Sequence, residues 1–160
     1  MRIRYSFSSR RTGTIEGGND HTTAVPAIAR EVIRISDIVL EVLDARFIKE
    51  TRNLDIEDYV KGLDKKLVFI VNKCDIGNEK EIMENIEKEN LFPYILVSCR
   101  TGQGRRQLRD LIKMEAKRLK SDRQTNIGIV GYPNTGKISI INFLVGSGAD
   151  TSKESGFTKG

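Results

Sequence analysis

Four short apolar runs, at residues 38–43, 67–71, 94–97 and 127–130, are separated by stretches of helical periodicity, and this alternation leaves few architectures open. A strand that is apolar on both sides has no face to give to water, so it belongs in the middle of a layered domain with helices above and below it. The intervening stretches supply such helices. From Pro26, a residue suited to a first helical turn, Ile28, Val32 and Ile35 recur at i, i+4 and i+7. Similar patterns run over about 79–89 and about 107–119, the second with Leu108, Leu111, Ile112 and Leu119 on one side. The chain therefore predicts an α/β fold of three layers around a mostly parallel sheet, with ligand loops at the carboxyl ends of the strands.

A length of 160 residues accommodates one domain with a real core and is short for two. We set that domain at residues 26–160. Residues 1–25, polar and rich in Gly, Ser, Thr and Arg, are expected to form a flexible basic arm, and His21, the only histidine, is read there as solvent-exposed and without a role. No window approaches the ~18 uninterrupted apolar residues of a membrane span, so no membrane contact is expected. Arg2, Arg4, Arg10 and Arg11 are followed by no apolar stretch or cleavage site of a secretory signal, which makes the cytoplasm the expected compartment. Cys74 and Cys99 lack the paired spacing of a metal or redox site and suit reducing surroundings. Lysine and arginine exceed the acids by 27 to 22, a net charge of +5 that favours a polyanionic partner such as RNA and is equally met by a solvated basic surface.

Gly131-Tyr132-Pro133-Asn134-Thr135-Gly136-Lys137 follows the apolar run at 127–130 and precedes an apolar helix at 140–145, the strand, loop and helix that a G-x4-G-K phosphate loop requires. Its glycines let the backbone wrap a phosphate chain with N–H groups inward, the helix N-terminus adds positive potential, and Lys137 brings a charge to the outer phosphates. A plain turn needs neither the second glycine nor the lysine. Asn134, Thr135, Gly136, Lys137, Ile138 and Ser139 are the candidate phosphate-binding residues, and Lys137 also the candidate catalytic one. Where a Ser or Thr hydroxyl normally coordinates magnesium, this chain has Ile138, which cannot. Ser139 lies about 100° further round the helix, a poor position for the same task.

Asn72-Lys73-Cys74-Asp75 begins where the 67–71 run ends. Guanine offers two adjacent donors, the ring N1–H and the exocyclic amine, and an ionised Asp75 accepts both. Adenine offers neither and leaves the carboxylate unpaired, which discriminates between the bases. Lys73 can lay its stem along the base plane, and Asn72 can tie neighbouring loops and reach the base edge. Ser98-Cys99-Arg100, after the 94–97 run, is a further base-contacting candidate whose backbone amides can face the guanine O6; a plain strand-to-helix loop has the same residue types. Asp75 and the lack of a second acidic Walker-type strand argue against an ATPase or kinase.

N-K-x-D, then a serine-led loop, then G-x-P-N-x-G-K resembles the circularly permuted GTPases, in which the usual order of phosphate loop and base reader is reversed. Asp44-Ala45-Arg46 and the following Thr51-Arg52-Asn53 resemble the branch that acts in assembly of the large ribosomal subunit. Asp44 reads equally well as a turn former or helix cap. The resemblance covers roughly residues 26–160 and implies a permuted P-loop NTPase fold, GTP or GDP as ligand, Mg2+ and K+ as ions, and ribosomal RNA or the large subunit as partner; DNA is not expected. It implies a potassium-placing role for Asn134 and a nucleotide- and magnesium-binding role for Thr158. It also implies an Asp-x-x-Gly segment after residue 160, so the chain resembles part of a longer protein. Two readings follow: a GTPase that switches with its nucleotide state, and a guanine-nucleotide or RNA-binding module without turnover, the latter suggested by Ile138.

Overall fold

The computed structural model describes residues 3–7, 25–119 and 122–145, so Thr158 and His21 lie outside the described residues. The strands are β1 (Ile3–Phe7), β2 (Ile38–Asp44), β3 (Lys66–Asn72), β4 (Tyr94–Leu96) and β5 (Thr125–Val130). The helices are α1 (Ala27–Ile35), α2 (Ile48–Thr51), α3 (Leu54–Gly62), α4 (Glu79–Lys88), α5 (Arg105–Arg118) and α6 (Lys137–Val145). They form one sheet in the order β1-β5-β2-β3-β4, with every neighbouring pair parallel.

Side chains along β2 alternate between two cores. Ile38, Leu40 and Val42 pack with α5 and α6 through Leu108, Ile112, Ile140 and Phe143. Val39 and Leu43 pack with α1, α3 and α4 through Val32, Ile33, Ile56, Val60, Ile82 and Ile86. Burial on both faces explains the near-continuous apolar runs. Gly128 in β5 is needed for this packing: a Cβ there would lie 2.1 Å from Ser36 Oγ, so the missing side chain lets α1 close on the sheet.

This topology places a crevice. From β2 the chain moves outward through β3 to β4, and β5 then returns to the other side of β2. The helices after β2 pack on one face and α6, after β5, on the other, so the loops leaving these neighbouring strands diverge and open a gap at their carboxyl ends.

Three expectations are corrected. Residues 3–7 are not part of an irregular arm: they form β1, in register with β5 from Ile3 opposite Thr125 to Phe7 opposite Ile129. The alternation of Ile3, Tyr5 and Phe7 with Arg4 and Ser6 is a short period-2 signal, and β5 offers it a free edge. In α1 the buried stripe is Ala29, Val32 and Ile33, rotated from the Ile28 face, and Leu119 at the end of α5 is exposed. Helices α2 and α3 occupy a stretch not assigned from the sequence; α3 starts on Asn53, whose side chain accepts from the Ile56 N–H at 3.1 Å.

One polar group interrupts the core. Glu41 is fully buried in β2; its Oε1 accepts the Asn53 N–H at 2.8 Å, and its Oε2 has no partner. Burial, and then the neighbouring Glu57, push its carboxyl well above the usual carboxylate range. Arg52 holds Glu57 at 2.9 Å, donates to the Glu89 carbonyl at 2.7 Å and stacks 5.7 Å above the Phe69 ring, clamping α3 and the end of α4 to β3. With its folded pKa raised, Glu41 contributes most below the ordinary carboxyl pKa and loses that contribution as pH rises through the raised value. Glu41→Gln supplies a neutral donor beside Glu57, so we expect it to stabilise the fold by about 1 kcal/mol at neutral pH and to make no difference in acid. Thermal melts of both proteins across pH check this.

Candidate functional site

Every loop singled out in the sequence leaves the carboxyl end of a strand, and because the sheet is parallel these ends share one rim. Asp44 and Asn72 end neighbouring strands side by side, and Gly131 follows β5 next to them.

Asn72 is buried and joins three loops. Its Nδ2 donates to the Thr135 carbonyl at 2.9 Å, and its Oδ1 accepts from Cys99 Sγ at 3.6 Å. Gly136 permits this approach: its φ is +99°, and a Cβ there would stand 2.4 Å from Asn72 Nδ2. Lys73 and Asn134 both adopt left-handed backbone, with φ of 64° and 68°. They are tied together, the Lys73 ammonium donating to the Asn134 carbonyl at 2.5 Å, so the bond that joins the two loops also holds both strained turns. Asp44 lies 3.3 Å from that ammonium through Oδ2 and accepts the Arg46 backbone N–H at 3.0 Å. Burial opposes its charge, but Arg46 and Lys73 outweigh that and hold the carboxyl below its ordinary value. Asp44 is thus both turn former and ion-pair partner of Lys73.

The Asp75 carboxylate accepts from Ser98 Oγ at 2.9 Å on one oxygen and from Arg100 Nε at 2.9 Å on the other. The Ser98 bond, followed by Arg100, lowers its pKa and keeps it ionised. Ser98 is buried and also accepts the Thr101 N–H at 3.2 Å. Burial raises both thiols, Cys99 to about 11, which favours the protonated form of each.

In the phosphate loop, the Lys137 ammonium folds back to donate to the Gly131 and Tyr132 carbonyls at 2.7 and 2.9 Å. Burial lowers its pKa to about 8. Thr135 is buried, with its hydroxyl on the Tyr132 carbonyl at 2.8 Å, so it offers a ligand its backbone rather than its side chain.

A cavity of about 600 Å³ lies between these loops. Asn72, Lys73, Asp75, Cys99, Arg100, Gly136 and Ser139 line it, as do Ile76, Arg105, Asn142 and Phe143, which the sequence reading did not include. Arg105 lies 4.6 Å from the centre of the Phe143 ring, a contact between α5 and α6 that no local pattern announces. Ser98, Asn134, Thr135, Lys137 and Ile138 do not line it; Ile138 is 60% exposed, turned outward in the first turn of α6, whereas Ser98, Thr135 and Lys137 are buried. Having no oxygen, Ile138 also cannot hold the magnesium ion that the family resemblance implies. Chemically, the rim carries an ionised carboxylate at Asp75 and, in a neighbouring loop, a helix N-terminus with a lysine.

A family described as 50S ribosome-binding GTPase matches residues 126–160. The chain is 39% identical over 137 residues to the uncharacterized GTP-binding protein MJ1464 of Methanocaldococcus jannaschii, covering 85% of this chain and 36% of that protein. It is 33% identical to GTPase grn1 of Schizosaccharomyces pombe, covering 76% of this chain and 30% of that one. With nucleolar GTP-binding protein 2 of Saccharomyces cerevisiae it shares 34% identity, covering 71% and 24%. The chain therefore spans about a third or less of the length of these relatives. A solved structure, the GDP-bound structure of TM YlqF, is 30% identical with a TM-score of 0.49, over 74% of this chain and 47% of that one. Among the described residues no helix is long and apolar enough to cross a membrane. With Asn72-Lys73-Cys74-Asp75 ahead of the Gly131–Lys137 segment and its sequence shared with these GTP-binding proteins, the chain belongs to the circularly permuted GTPase family.

Proposed function

We propose that the cavity binds GDP and GTP, with guanine against Asp75 and the phosphates in the loop from Gly131 to Lys137. One observation carries this reading: Asn72 and Lys73, in the segment that presents Asp75, are hydrogen-bonded to the carbonyls of Thr135 and Asn134, so base reader and phosphate loop form one unit at 2.9 and 2.5 Å. On binding, Lys137 exchanges the two loop carbonyls for phosphate oxygens, Asp75 accepts the guanine donors, and Ser139 faces the same cavity. Saturable binding of fluorescent GDP to the chain supports the reading; no binding up to millimolar GDP would sink it.

For the whole protein, the proposed role is a nucleotide-dependent switch on ribosomal RNA or the large ribosomal subunit, in the cytoplasm or another reducing compartment. Thr158, potassium at Asn134 and magnesium belong to this proposal and rest on the family alone. RNA as partner is supported by α5, which holds Arg105, Arg106, Arg109, Lys113, Lys117 and Arg118 against Asp110 and Glu115 and so carries most of the chain's +5. Glu115 is buried beside Lys66 and Arg118, which leaves Arg106, Lys113 and Lys117 on an exposed face. Reversing Arg106 and Lys113 to Glu is expected to weaken RNA binding and flatten its salt dependence by about one unit of slope per cation removed, with GDP affinity unchanged.

A second reading, binding without turnover, is favoured by Ile138. Phosphate release by the chain and by Ile138→Ser separates the two. The serine variant is expected to make GTP affinity depend on magnesium by about tenfold, the scale on which changes around a metal's ligands act; if both proteins release phosphate equally fast, the isoleucine is not what limits turnover.

A further inference from the structure

The two Asp75 oxygens have partners of different character. Ser98, on Oδ1, is fully buried and fixed by the Thr101 N–H, whereas Arg100, on Oδ2, has a side chain 77% exposed and reaches the carboxylate from the solvent side of the cavity. A guanidinium presents coplanar N–H donors, the kind of edge that guanine shows through N1–H and its exocyclic amine. We propose that Arg100 is an internal competitor for the base site: its guanidinium holds one of the two Asp75 oxygens that guanine would use, and the base must displace it.

The inference rests on the reading of Asp75 as the guanine acceptor. Competition keeps the carboxylate paired while the site is empty. It also gives Asp75 a waiting donor as the base leaves, so Arg100 lowers guanine affinity and speeds release. A residue that simply contacted the base would do the opposite on both counts, which fixes the sign of the test. The ion pair is exposed, so the effect is moderate.

Guanosine is the probe, because it lacks phosphate charges and is indifferent to the loss of a distant cation. Arg100→Ala is expected to bind guanosine about two- to fivefold tighter than the unaltered chain and to release GDP more slowly by a similar factor, the range for an exposed ion pair. Raising the salt concentration should tighten guanosine binding to the unaltered chain, by weakening the competing pair, and leave Arg100→Ala unaffected. Unchanged or weaker guanosine binding by Arg100→Ala overturns the inference while leaving the base reader standing, provided that Asp75→Asn still loses GDP. If the unaltered chain binds neither guanosine nor GDP, the base reader fails and the competitor with it.

Discussion

Asp75→Asn is expected to lower guanine affinity about a hundredfold and to turn preference toward xanthine, since a charge-assisted hydrogen bond contributes about 1.5–3 kcal/mol and an unmet donor adds its own cost. The carboxylate accepts at both oxygens; the amide keeps one acceptor and sets an N–H donor against the guanine amine. Xanthine carries a carbonyl at that position and accepts from the new donor. The fold should tolerate the change, because Ser98 Oγ can still donate to the amide oxygen and the lost Arg100 contact is largely exposed. Competition between GDP and XDP for both proteins measures it, and an unchanged preference would refute the role of Asp75.

The second large effect concerns Lys137. Its ammonium is buried on two loop carbonyls and has a pKa near 8, lowered by burial. A phosphate chain favours the charged lysine, so its pKa in the complex lies higher than in the free protein and binding takes up a proton between the two values. GDP affinity is therefore expected to be flat below about pH 8 and to fall by about tenfold per pH unit above it, until the bound-state pKa is reached. Lys137→Met should abolish this slope and weaken GDP about a hundredfold, the loss of one to two charge-assisted bonds, while guanosine affinity stays the same. Titrations of GDP and guanosine across pH separate the two: a slope that survives Lys137→Met would assign the proton to another group.

The central sheet was legible in the sequence because its strands are buried on both faces, and an uninterrupted apolar run is how such a strand reads. The stretch at 48–62 was harder: α2 is a single turn, and α3 shows only Ile56 and Val60 on its buried side, with Glu57 beside them. In β1, five residues of alternation sit among polar neighbours, and their pairing with β5 joins segments far apart in sequence.

The candidate site divides in the same way. Asp75 and Lys137 could be nominated from the sequence because the motifs that hold them, and their place after a strand, are local. What joins them is not local. The bond from Asn72 to Thr135, the matched left-handed turns at Lys73 and Asn134, and the pairing of Asp44 with Lys73 come from strands adjacent in space and distant in sequence. Ile138 was legible as a missing oxygen, but its outward direction became clear only with the first turn of α6 in place.

The most direct measurement is competition of GDP and ADP for the chain, with labelled GDP as the reporter. Both nucleotides carry the same phosphates, so Lys137 and the loop treat them alike and only the base differs. A site built around paired donors is expected to prefer GDP by about a hundredfold or more; equal displacement by ADP would contradict the assignment of Asn72, Lys73 and Asp75 as the guanine reader.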